Sequence, residues 1–167
     1  MVLLVPVTSW LVLRVVLVCG AVLAALVEAV RLRVPGVAGL LRTAVPVYRA
    51  RERTRPSGAM WLAVGYALAA FADPPAPAAG ILVAACADPA AALVGSRGAR
   101  GPVMGKTIPG TAVHWLVAAI VLGILGWSWT AVVIGASVAS AVERWPLGLD
   151  DNLLVPPATA FAVMLAA

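Results

Sequence analysis

Titratable side chains are scarce in this chain. It has one lysine (Lys106), one histidine (His114), two cysteines and seven acids in 167 residues, and charged residues make up 11% of the whole. A soluble domain has about 25%. Cys19 and Cys86 each sit inside an apolar run, which excludes a disulfide-built scaffold and reads as small packing residues. Segments of about ten alternating residues are missing, and with them the pattern of a β-barrel. The N-terminus lacks a basic start followed by a small-residue cleavage site and a polar mature region, so its apolar stretch reads as retained helix and not as a signal peptide. No internal repeat or low-complexity tail divides residues 1–167, which read as one domain.

Apolar residue dominates what remains: 63% of the sequence is hydrophobic and mean hydropathy is +1.03. That composition predicts an all-α, polytopic integral membrane protein with about six transmembrane helices. The apolar runs set their bounds: Val15 to Leu32, Ala59 to Phe71, Ala78 to Val94, Thr111 to Gly126, Thr130 to Val142 and Leu153 to Ala167. An Arg-rich segment separates the first two runs, with seven arginines between Arg31 and Arg55.

Charge then orients the chain. Six crossings place 31–58, 95–110 and 143–152 on one side, with 11 of the 12 basic residues and only Arg14 opposite. The positive-inside rule makes that side cytoplasmic, with the motif loops on it, and the expected location is a bacterial cytoplasmic membrane. The net charge of +5 is therefore a topology signal, with no nucleic-acid partner implied. The many Ala and Gly residues permit tight helix association, including a homo-oligomer.

The chemistry-bearing residues fall in those loops and at their edges. Asp88, Glu143, Asp151 and Asn152 supply hard oxygen atoms suited to Mg²⁺. The loop from Gly95 through Arg97, Gly98 and Arg100 to Gly101, then Gly105-Lys106-Thr107, offers backbone N–H groups and cations that cradle phosphates. It is not a Walker loop, because Arg100 stands where that pattern needs glycine. Arg49 and Glu52, spaced i,i+3, form an accessory pair.

Structural readings stand beside these. Asp88-Pro89 has the form of a helix start, Glu143-Arg144 that of a surface ion pair, and Asp150-Asp151-Asn152 that of a cap on the last helix. His114, within an apolar run, reads as a packed, hydrogen-bonded core residue.

The order of ADPAAALVGSRGAR, GKTIPGT and VERWPLGLDDNLLVP, preceded by VEAVRLRVPG and RARERTRPSGAMWLAVG, resembles the CTP-dependent polyprenol and diacylglycerol kinase family, which includes dolichol kinase, phytol kinase and the yeast-type diacylglycerol kinase. The resemblance covers roughly residues 25 to 160. It implies transfer of the γ-phosphate of CTP to the hydroxyl of a membrane lipid alcohol, with Asp88, Lys106 and Glu143 catalytic. It also implies nucleotide contacts from Gly95, Arg97, Gly98, Arg100, Lys106, Thr107 and Gly110, and Mg²⁺ on Asp88, Glu143, Asp151 and Asn152. Pro109 stands where the family pattern has a glutamate. A CDP-lipid-forming cytidylyltransferase is the nearest enzyme alternative, and a non-catalytic scaffold or small transporter the alternative from another class.

Overall fold

The computed structural model describes residues 9–44, 52, 54–96, 106–145 and 148–167. Among them are seven helices: α1 (Trp10–Arg33), α2 (Pro35–Ala44), α3 (Gly58–Ala69), α4 (Ala76–Gly95), α5 (Ile108–Ile124), α6 (Trp129–Arg144) and α7 (Asp151–Leu165). Short polar residues fix most of their starts. Ser9, Ser57, Thr107, Ser128 and Asp150 are the N-caps of α1, α3, α5, α6 and α7, and each side chain accepts from a backbone N–H of the first turn, which would otherwise lack a partner. Arg31 and Arg33 close α1, where cations suit the negative end of the helix dipole.

Tight turns over 70–75 and 125–128 join α3 to α4 and α5 to α6 at one end of the bundle. Gly126, at φ 80°, supplies the left-handed step in the second turn. The C-terminal ends of α1, α4 and α6 and the starts of α3, α5 and α7 lie at the opposite end, called here the polar end. α7 packs on α3, α4 and α6, α5 lies between α4 and α6, and α1 leans on α3. The core is built from small residues, with Ala79, Ala87, Ala118, Ala136 and Ala160 fully enclosed around Val83, Leu122, Val155 and Val163.

Two adjacent prolines shape the centre. Pro156 and Pro157 lack the N–H groups that would bond the carbonyls of Asn152 and Leu153 four residues earlier in α7. Both carbonyl oxygens lie against Gly65 of α3, where an added Cβ would meet them at 2.5 and 2.9 Å. Gly80 of α4 is seated against the Pro156 carbonyl in the same way. Gly80→Ala is therefore expected to lower stability by about 3 kcal/mol, the upper part of the usual overpacking range, because a backbone carbonyl cannot swing aside. Thermal denaturation checks this, with Gly123→Ala as control. Nothing lies within 4 Å of a Cβ at Gly123, and the substitution there should be neutral or stabilising.

The expectation of six membrane crossings is overturned. A crossing needs about 20 predominantly apolar residues. Among the described residues only α1 and α4 are long and apolar enough, by length and composition, and 44% of the apolar window of α4 is buried inside the bundle. α3, α6 and α7 have 12, 16 and 15 residues, fewer than a crossing needs. The integral-membrane location and the cytoplasmic placement of the motif loops depended on that count and fall with it. What stands instead, among the described residues, is an all-α bundle of seven helices with a buried, small-residue core. The helix that sequence reading did not foresee is α2, inside the Arg-rich segment.

Candidate functional site

The α4–α5 hairpin brings together the first pair of polar residues. Gly95 and Gly110 meet almost backbone to backbone over the Thr107 hydroxyl, which in turn accepts from the Gly110 N–H at 3.1 Å. From that crossing point, seven residues back along α4 is Asp88 and seven residues forward from Thr107 is His114. The two side chains pair at 2.9 Å, Asp88 Oδ1 to His114 Nε2. The other ring nitrogen, Nδ1, lies 3.0 Å from Ser140 Oγ on α6. His114 is 0% exposed, whereas the Asp88 side chain keeps 25% of its surface open. A buried imidazole held at both nitrogens thus fixes the position of a carboxylate that can still be reached. Asp88 does not start a helix, since it lies well inside α4 with Pro89 accommodated after it.

Lys106, just before α5, forms the second cluster. Its Nζ is 2.6 Å from Glu143 Oε1 at the end of α6 and 2.5 Å from Asp151 Oδ2 at the start of α7. One cation between two carboxylates leaves the group one negative charge in excess. Burial alone would lower the lysine pKa, but the hydrogen bonds and charges of Asp151 and Glu143 outweigh it and raise the value above the usual 10.5. Burial likewise acts to raise Asp151, and the Lys106 ammonium overrides it, holding that carboxyl below the usual 3.8. Glu143 is not an exposed partner of Arg144. It is buried, its Oε2 is buried without a hydrogen-bond partner, and Arg144 donates instead to Thr111 Oγ1 at 3.0 Å. Both clusters lie along the first two turns of α5 and the residues just before it, at the polar end of the bundle.

A third set continues this polar end toward α1 and α3. Arg31 grips Glu28 through two bonds, Nε to Oε2 at 2.9 Å and Nη2 to Oε1 at 2.6 Å, and Glu28 also accepts from the Ser57 N–H at 2.5 Å. Arg31 Nη2 reaches the Arg55 carbonyl at 2.8 Å. Glu52 Oε1 accepts from the Gly58 N–H at 3.1 Å, and a Cβ at Gly58 would touch both Glu52 and Asn152. Asn152 itself donates to Asp150 Oδ1 at 2.7 Å, completing the cap of α7.

Comparison with protein-family models, curated proteins and solved structures returns no match.

The geometry of the site revises the expected metal centre. Among the described residues no three His, Cys, Asp or Glu side chains gather so as to hold a metal ion. The four residues assigned to Mg²⁺ are otherwise engaged: Asp88 with His114, Glu143 and Asp151 with Lys106, and Asn152 with Asp150. The residues present do not fit a protein-held magnesium ion.

Of the expected nucleotide contacts, Thr107 and Gly110 cap and seat α5, and Gly95 packs against them. Pro109 occupies the first turn of α5, where its missing N–H costs nothing. Arg97, Gly98, Arg100 and Arg49 lie outside the described residues. His114 and Ser140 are the members of the site that sequence reading left in the core. The signal for His114 was hairpin register: Asp88 and His114 are equidistant from the Gly95–Thr107 contact.

Proposed function

We propose that the chain transfers the γ-phosphate of a nucleotide, CTP by the sequence resemblance, to the hydroxyl of a lipid alcohol. The observation that carries this reading is the presence, at one end of the bundle, of an accessible carboxylate oriented by a buried imidazole and of the sole lysine, which in sequence follows the glycine-rich basic segment. Phosphoryl transfer is mainly positioning and charge neutralisation. In the proposed step the alcohol oxygen bonds to the γ-phosphorus while the bond from that phosphorus to the β–γ bridging oxygen breaks. The hydroxyl proton passes to the Asp88 carboxylate, and the nucleoside diphosphate leaves. Lys106 neutralises phosphate charge, and His114 and Ser140 hold Asp88 in line.

One observation favours a second reading, a non-catalytic helical scaffold: Lys106 is already bonded to two carboxylates, as a purely structural cation would be. The test supplies CTP labelled at the α or the γ phosphate to purified protein with mixed lipid extract, with and without Mg²⁺. γ-Label alone in the lipid phase is the expected result. α-Label there would assign a cytidylyltransferase, and no label together with no CTP binding would assign the scaffold.

A further inference from the structure

A groove of about 300 Å³ runs between α1 and α3. Val18, Ala21, Val22 and Ala25 line it from α1, and Val64, Ala67, Leu68 and Phe71 from α3 and its end. These positions recur at i, i+3, i+4 and i+7 on both helices, so the groove is the seam of a helix pair. Leu13, Leu17 and Ala21 close one side of the seam against Ala67, Ala70 and Ile81. On the open side Val22, Leu68 and Phe71 remain exposed, while Ala21, Ala25 and Ala67 are too short to fill the space between the backbones. Every lining side chain is apolar, and the volume is at the small end of ligand pockets, about 300–1,000 Å³, which suits one alkyl chain.

One charge stands at the end of this seam. Arg14 is a turn before Val18, with its guanidinium 5.4 Å from the centre of the Phe71 ring. Its Nε donates to the Ala70 carbonyl at 2.8 Å, which orients the group. Nη1 and Nη2 have no protein partner among the described residues, and no ion pair joins Arg14 to an acid among them. An arginine held by Nε and an aromatic ring presents its two terminal nitrogens end-on to a carboxylate or phosphate.

We infer that the α1–α3 groove binds a single-chain anionic amphiphile, its alkyl chain along Val18 to Ala25 and its head group on Arg14. This site is separate from the proposed catalytic end, since Arg14 and Glu28 are 14 residues apart on α1, about 21 Å at the rise of an α-helix. It stands whether or not the transferase reading does.

The test measures equilibrium binding of radiolabelled oleate and of oleyl alcohol, its neutral counterpart, to the full-length purified chain. Oleate should bind about tenfold more tightly, the size of one charge-assisted contact. Arg14→Gln should bring oleate to the level of the alcohol. Val22→Trp, a substitution at an exposed rim position that fills the groove, should weaken both ligands at least tenfold, with thermal denaturation confirming that each variant is folded. Equal affinity for the two ligands in the wild-type chain would overturn the inference without recourse to any variant. So would oleate binding untouched by Arg14→Gln or by Val22→Trp.

Discussion

Asp88→Asn is expected to lower phosphoryl transfer by about 10²–10⁴-fold, the usual contribution of a positioned general base, or about 3–5 kcal/mol in the barrier. The substitution keeps the shape of the side chain and its ability to bond His114, so the fold and nucleotide affinity should survive. What disappears is the site to which the hydroxyl proton goes. The loss should therefore fall on kcat and leave KM for the nucleotide nearly unchanged, as measured by steady-state transfer of γ-label. Full activity in Asp88→Asn would remove Asp88 from the chemistry. A fall in thermal stability with kcat intact would reduce the Asp88–His114–Ser140 chain to packing.

The second large effect concerns Lys106. Lys106→Met leaves Glu143, 6% exposed, as a buried carboxylate without its cation. Breaking one side of a fully buried pair costs about 3–5 kcal/mol. Because a third of the Lys106 side chain is open to solvent, about 2 kcal/mol is expected at neutral pH. The double variant Lys106→Met, Glu143→Gln should regain most of that, since the buried carboxylate is then gone and the one that remains, Asp151, is 32% exposed.

Dependence on pH follows from the two shifts. Asp151 is held below its usual value, so its contribution is fully present above pH 3.8 and is lost as pH falls through the lower folded-state value. Lys106 is held above its usual value, so its contribution is fully present below pH 10.5 and is lost as pH rises through the higher folded-state value. The stability difference between wild type and Lys106→Met should accordingly be flat across neutral pH and shrink toward both extremes, as read by denaturant titration. A difference that grows toward acid would contradict the assigned pairing. Nucleotide binding should also be lost in Lys106→Met, which separates the transferase reading from the scaffold reading, where only stability changes.

Much of the bundle can be found from hydrophobicity alone. The six apolar runs coincide with α1 and α3 to α7, because each run is bounded by a residue that caps or turns the chain, such as Ser57, Thr107, Ser128 or Asp150. Their surroundings could not be found that way. An alanine-rich helix enclosed by other helices has the same composition as one enclosed by lipid, and the difference lies in which faces meet. α2 was hidden because its ten residues sit within a run of arginines whose charge obscured the apolar spacing of Val37, Leu40 and Leu41.

At the site, the residue types were visible one at a time while their partners were not. Lys106, Glu143 and Asp151 are 37 and 45 positions apart and meet only because the ends of α6 and α7 return to the start of α5. Asp88-Pro89 looks like a helix start locally, but α4 already runs from Ala76 and its buried alanines hold it through the proline. His114 is packed and hydrogen-bonded, as its apolar context suggested. Its partner could be read only from the hairpin register about the Gly95–Thr107 contact.

The attachment of α1 has a mechanical side. Near one end the helix is held by Arg14 on the Ala70 carbonyl, and near the other by Glu28 on the Ser57 amide and Arg31 on the Arg55 carbonyl. It is a beam clamped at two supports, with the groove under the span between them. Load applied at mid-span, by an enlarged side chain or a wedged ligand, is carried to both supports. One of those supports is the polar end of the bundle, where Ser57 begins the helix that seats Gly58 beside Asn152.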